Sequence, residues 1–250
     1  MRFLVRALNG KGDKRSGAPP GASTPRLPSL TILVLAPLML LGACTVHQAP
    51  LEEIDGQTTE RIQQQWQAHL AQMSAVERWQ LKGKIAVRAG TKGGHATLRW
   101  ERNPEDQHIE LSGPLGGGRV VIDADPREAR LQDTRGGDLS GASVSELVAQ
   151  RLGWPLPFEQ LPYWIRGLPS SEEASLEWDE QGRIARMNDA GWQLSYPEYQ
   201  AVSTASGQRV SVPRQVELNA LPGTLRVYDK NGAFLGEELF VRLIVKSWLP

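Results

Sequence analysis

The stretch Trp79-Gln80-Leu81-Lys82-Gly83-Lys84-Ile85-Ala86-Val87-Arg88 puts Trp79, Leu81, Gly83, Ile85 and Val87 on one side and Gln80, Lys82, Lys84 and Arg88 on the other. Successive side chains of a strand point to opposite faces, so this period of two predicts a strand with one buried face. Gly93-Gly94 then marks a turn, and Ala96, Leu98 and Trp100 alternate with His95, Thr97, Arg99 and Glu101. Two such runs joined by a turn predict an antiparallel hairpin.

The pattern continues outward in both directions. Asn103-Pro104-Glu105-Asp106 is a second turn, followed by Ile109 and Leu111, then by the loop Gly113-Pro114-Leu115-Gly116-Gly117-Gly118. Val120, Ile122 and Ala124 form the next alternating run, and Ala129 and Leu131 follow Asp125-Pro126. Short strands joined by short turns predict a meander. Ser143-Val144-Ser145-Glu146 is a capping box that opens a helix from Val144 to Leu152, with Gly153 placed to end it. The segments Trp154-Pro155-Leu156-Pro157-Phe158 and Leu161-Pro162-Tyr163-Trp164-Ile165 are too apolar for a free loop and too rich in proline for a central strand. They predict a second short helical region lying against the sheet. Strands resume at 175–178 and 183–188 around Asp179-Glu180-Gln181-Gly182, and at Trp192 to Tyr196. Further strands are expected at Val216 and Leu218 after Pro213, at Leu225 and Val227, and from Leu239 to Val245. Before the first hairpin, Ile62, Trp66, Leu70, Met73 and Val76 recur at spacings of three and four, an amphipathic helix. No change of composition divides residues 59–250, so the expectation is one domain, mainly β with some α. A single curved antiparallel sheet of ten or eleven strands, with two or three helices on its concave side, fits the pattern.

The N-terminal 43 residues read differently. A basic segment precedes an apolar run, Leu30 to Leu41, too short to span a bilayer comfortably. The run ends in Leu41-Gly42-Ala43-Cys44, which contains the chain's single cysteine. Residues 1–43 therefore read as a signal peptide, and small residues before a thiol resemble the lipobox of bacterial lipoproteins. That resemblance implies acylation of Cys44, with residues 44–58 as a tether. Thr45 rather than Asp after the cysteine implies, within that class, an outer-membrane address.

The whole chain carries 28 basic and 28 acidic residues. Arg2, Arg6, Lys11, Lys14, Arg15, Arg26 and Asp13 precede Cys44, which leaves 22 basic against 27 acidic and a net charge of −5 after it. A mildly acidic domain without a basic block argues against nucleic acid as a partner. His47, His69, His95 and His108 lie at no metal-ligand spacing. Gly137-Asp138-Leu139-Ser140-Gly141 is not a nucleophile elbow, and Gly116-Gly117-Gly118 lacks the Lys-Ser/Thr of a phosphate loop. No catalytic residue, metal or cofactor is expected. What remains is apolar surface: eight Trp stand against four Phe, and Trp79, Trp100 and Trp192 fall on the apolar face. That face is either a filled core or a ligand cavity.

Local patterns add to this reading. Trp79 to Val87 is followed by Gly94 to Trp100, by Leu111-Ser112-Gly113-Pro114-Leu115-Gly116 and by Leu152-Gly153-Trp154-Pro155-Leu156-Pro157. Trp164-Ile165-Arg166-Gly167-Leu168-Pro169, Gly191-Trp192-Gln193-Leu194-Ser195-Tyr196, Val212-Pro213-Arg214 and a final strand ending at Trp248 complete the series. In order and spacing the chain resembles the LolB family of outer-membrane lipoproteins over residues 66–248. The resemblance implies an open, unclosed β-barrel of about eleven strands whose helices cap an apolar cavity. It implies a lipid-anchored protein of the outer membrane, facing the periplasm and acting as a monomer. Such a protein accepts acylated lipoproteins from a periplasmic, LolA-like carrier and inserts them into the inner leaflet of that membrane. Strand parity then assigns Ile85, Val87, Leu98, Trp100, Leu111, Ile122 and Leu131 to the cavity wall, with Leu152, Trp154 and Trp164 in the lid. Leu115, between Pro114 and Gly116, becomes the expected membrane-insertion residue. The alternatives are a structural envelope lipoprotein with a filled β core and an envelope hydrolase with a convergent Ser or His site.

Overall fold

The computed structural model describes residues 56–114, 118–204, 207–229 and 231–249. Helix α1 (Gly56–Ser74) precedes six strands, β1 (Trp79–Ala89), β2 (Lys92–Arg102), β3 (Gln107–Ser112), β4 (Arg119–Ala124), β5 (Ala129–Asp133) and β6 (Asp138–Gly141). Helices α2 (Val144–Leu152) and α3 (Leu161–Trp164) come next. The chain continues through β7 (Ser175–Trp178), β8 (Ile184–Asp189), β9 (Trp192–Ser203) and β10 (Arg209–Ala220). A short ribbon, β11 (Val227–Tyr228) and β12 (Phe234–Gly236), precedes β13 (Phe240–Leu249).

Eleven strands form one antiparallel sheet in the order β6-β5-β4-β3-β2-β1-β13-β10-β9-β8-β7, and β11 pairs only with β12. The order explains the architecture. From β1 each strand turns back on its predecessor until the chain reaches the β6 edge. It then crosses to the opposite edge at β7 and works inward again, until β13 slots between β10 and β1. The edges β6 and β7 do not pair with each other, so the curved sheet stays an open barrel. Residues 142–174 join one edge to the other and must therefore cross a face of the sheet. Apolar burial decides which face. Leu147, Val148, Leu156, Phe158, Leu161, Trp164 and Ile165 of this crossing segment share one cluster with the inward residues of the strands.

The predicted parity is found in the ladder. Leu81 pairs opposite Trp100, and Gly83 opposite Leu98, with alternating buried and exposed residues along β1. Gly83 has a second function at the β1–β13 bulge, where a Cβ would sit 2.4 Å from the carbonyl oxygen of Ile244. Helix α2 has the expected bounds. Ser143 Oγ accepts from Glu146 N at 3.1 Å, and Gly153 ends the helix at φ +79°. The Glu146 carboxylate reaches one residue further back than a capping box predicts, accepting from Ala142 N at 3.1 Å. Two features depart from the sequence reading. The Gly137–Gly141 region contributes strand β6, paired with β5, and β10 runs through Pro213 with an irregular register there.

Candidate functional site: the covered apolar face

The covered face is dominated by tryptophan. Trp248 stacks on Trp79 with ring centroids 5.0 Å apart, Trp79 meets Trp100 edge-on at 5.2 Å, and Trp100 contacts Phe158 of the crossing segment at 5.7 Å. This ladder links three adjacent strands to the cover. Trp100 Nε1 donates to Gln107 Oε1 at 3.1 Å, whereas the buried Trp248 Nε1 and Tyr196 hydroxyl have no hydrogen-bond partner among the described residues. Ile85, Val87, Leu98, Trp100, Leu111, Ile122, Leu131 and Trp164 are all buried in the same cluster. Leu152 and Trp154 are half-buried against it. The ten residues thus meet on one face, shielded from solvent wholly or in part by the cover. Leu111 and Leu152 also line an open cavity of about 310 Å³, with Val120 beside them and Arg119, Asp133 and Arg151 around its polar side.

The cover is held unequally at its two ends. Near α3 the polar contacts are buried. The Asp189 carboxylate accepts from Trp164 Nε1 at 2.8 Å and from the hydroxyls of Ser170 and Ser171 at 2.7 Å each. Burial pushes this carboxyl up, but the donors from Trp164, Ser170 and Ser171 outweigh it and hold it below the ordinary carboxylate value. Arg166 donates to the carbonyls of Pro162, Met73 and Val76 at 2.8, 3.0 and 2.9 Å, two of them at or just beyond the end of α1. A cation on the unsatisfied carbonyls at a helix C-terminus is favourable, which offsets the burial of the guanidinium. In return, His69 of α1 hydrogen-bonds the Arg166 carbonyl at 3.1 Å through Nε2. Burial lowers the His69 pKa, so the ring is neutral and Nε2–H is the donor. The α1 helix and the α3 segment therefore clasp each other.

Near α2 the attachments are more exposed. Arg151 pairs with Asp133 of β5, and Ser145 Oγ accepts from Phe158 N at 2.8 Å while donating to Glu159. The outer edge of the Trp154 indole points at β2 at Gly94, where a Cβ would sit 2.6 Å from it. Gly94 is thus glycine because the lid occupies the space of its side chain.

Of the expected membrane loop, Pro114 is exposed, and Leu115 and Gly116 lie outside the described residues, as does Cys44. The loop is closed at its base by Gly113 N donating to the Gly118 carbonyl at 2.9 Å, directly beside the cavity at Leu111. Sequence reasoning missed Asp189, Arg166 and His69. Asp189 precedes Ala190 and Gly191, both at positive φ, so it stands at the entry to a tight turn. Among the described residues no group of three or more His, Cys, Asp or Glu is arranged to hold a metal, and no helix is long and apolar enough to cross a membrane.

Residues 77–248 match the family model described as "Outer membrane lipoprotein LolB". The outer-membrane lipoprotein LolB of Ectopseudomonas mendocina is 34% identical over 222 residues, covering 88% of this chain and 96% of that one. The protein of the same name from Pseudomonas fluorescens is 32% identical over 219 residues, covering 87% of this chain and 95% of its own length.

Proposed function

The chain belongs to the outer membrane lipoprotein LolB family, and from that premise we propose that it receives acylated lipoproteins from a periplasmic carrier on its covered apolar face and delivers them to the outer membrane. A role in lipoprotein localisation rather than catalysis comes with the family.

Physical chemistry sets the task. Burial gains about 0.8 kcal/mol per methylene, so exposing one sixteen-carbon chain to water costs on the order of 13 kcal/mol. An acylated protein therefore crosses an aqueous compartment only while its chains are shielded. No nucleotide motif is present in the sequence, which fits transfer driven by rising affinity from carrier to receptor to membrane.

One observation carries the proposal: a large apolar face is covered by a proline-rich crossing segment that is fixed by buried contacts at α3 and by half-exposed ones at α2. A covered face admits an acyl chain only if part of the cover moves aside. The weaker end is at Leu152 and Trp154, next to the cavity at Leu111. The acyl chain enters there by displacing Trp154 from Gly94 and lifting α2 away from β5, while α3 stays in place. The Leu115 loop, flanking the same cavity, then meets the bilayer during release. An acylated Cys44 keeps the protein at the membrane through residues 44–58.

Binding of a fluorescent fatty acid to the mature protein tests this reading. Saturable uptake that is slowed by cross-linking α2 to β5 supports it. No uptake favours the structural alternative, in which the face is only a core.

A further inference from the structure

The β11–β12 ribbon presents two paired aromatic rings to solvent, and among the other described rings only Tyr163 and Trp178 are comparably exposed. Val227 is fully buried in the core, but Tyr228 and Phe234 are 41% and 51% exposed, with ring centroids 5.5 Å apart. The Arg226 guanidinium lies 5.1 Å from the centre of the Phe234 ring. A paired, exposed aromatic patch marks an interaction surface more often than chance exposure.

The ribbon is held rigidly. The Asp229 carboxylate accepts from Lys92 at 2.5 Å and from the backbone of Asn231 and Ala233 at 2.9 Å each. A Cβ on Gly90 would lie 2.9 Å from the Leu235 carbonyl oxygen, so the ribbon packs against the β1–β2 turn.

Strand register fixes which end of the sheet this is. Arg88 and Asn219 both pair with Phe240, so the β1–β2 turn, the end of β10 and the start of β13 lie together. β3 runs antiparallel to β2, with Arg102 opposite Gln107 and Thr97 opposite Ser112, so the β3–β4 loop opens toward that same end. The ribbon and the base of the β3–β4 loop, Gly113 and Gly118, therefore lie at the same end of the sheet.

We propose that the β11–β12 ribbon is a second membrane-contact element that seats Tyr228 and Phe234 at the boundary between lipid headgroups and acyl chains. The inference rests on the reading that the Leu115 loop meets the bilayer. The chemistry suits a bilayer interface: aromatic rings with a polar or cationic partner concentrate at that depth, and Arg226 reaches lipid phosphates from the ring it covers. Lys92 pairs with Asp229, and Glu237 and Glu238 at the base of the ribbon are exposed, so among the described residues the rings rather than a basic cluster provide the attachment.

The test uses the full mature lipoprotein in vesicles of phosphatidylethanolamine and phosphatidylglycerol. An environment-sensitive label is attached through Phe234→Cys, and through Glu105→Cys on the β2–β3 turn at the opposite end. Quenching by a lipid-borne quencher is expected at position 234 and not at 105, and equal quenching at both overturns the proposal. The double variant Tyr228→Ser with Phe234→Ser should accept acylated client from the carrier at the unmodified rate, yet insert it about tenfold more slowly, as expected for losing two partly buried rings. Insertion at the unmodified rate, with thermal unfolding unchanged, also overturns it. Failure of the unmodified protein to accept client sinks the functional reading, whereas an unquenched label at 234 sinks only the ribbon.

Discussion

The indole of Trp154 rests on Gly94, so close that a Cβ at position 94 would meet its edge at 2.6 Å. The contact joins lid to sheet two residues beyond Leu152, which lines the cavity, and it gives the first prediction. Gly94→Ala should push Trp154 outward while leaving β2 intact, since alanine suits a strand better than glycine does. Global stability should change by only about 1 kcal/mol, because the displaced ring is half-buried already. Fatty-acid uptake should become faster, measured by stopped-flow fluorescence.

The opposite end of the cover gives a prediction about acid. Burial lowers the His69 pKa below its ordinary value of 6.5, with Arg183 also disfavouring the proton and the Arg166 and Gly167 backbone only partly compensating. A depressed histidine contributes stability above about 6.5 that is lost as pH falls from there toward the folded value. The Asp189 carboxyl is raised by burial but lowered on balance by its donors, from an ordinary value of 3.8. Its contribution is present above that value and is lost as pH falls through the still lower folded one. Hydrogen exchange should therefore show the end of α1 loosening first, at mildly acid pH, with Trp164 and α3 released only in strong acid. Asp189→Asn should cost on the order of 2–3 kcal/mol by denaturant melting at neutral pH, since it replaces one of two buried acceptor oxygens by an amide NH2 that faces donors.

Arg151 separates opening from folding. It reaches Asp133 from the last turn of α2, and its own side chain is about a third exposed (34%). Arg151→Gln should lower the melting temperature only modestly, because Arg151 itself is partly solvated and the less exposed Asp133 (6%) keeps its backbone donors at Arg135 and Gly137. If α2 is the part that lifts, the same variant should release a bound fluorescent fatty acid several-fold faster.

Leu115 should separate acceptance from insertion. Gly, Pro and Gly around it provide no local apolar partner. Leu115→Glu should fold and accept client normally while insertion into vesicles falls by at least tenfold, since a carboxylate is costly to carry into hydrocarbon.

Much of this fold was legible because the strands are half-buried. The alternation from Trp79 to Arg88 states its own parity, and Ser143 with Gly153 states both ends of α2. Strand β6 was not legible, since Asp138-Leu139-Ser140-Gly141 offers one apolar side chain and no alternation. The clasp was hidden for a different reason. His69 meets Arg166 across 97 positions, and Arg166 meets Met73 across 93, each bond ending on a backbone carbonyl that no residue type announces. Parity likewise placed Ile85, Leu98 and Ile122 on the inner face, but whether such residues face a void depends on how the crossing segment packs above them, which no local pattern encodes.

The most direct test of the central claim places a photo-reactive side chain at Leu111, at Leu152 and at the deeper Ile85, then supplies a client lipoprotein from its carrier. Positions 111 and 152 should cross-link to the acylated client early and position 85 later, with none reacting when the client lacks its acyl chains. Acceptance and delivery of acylated client without a cross-link from any inward position would contradict the account.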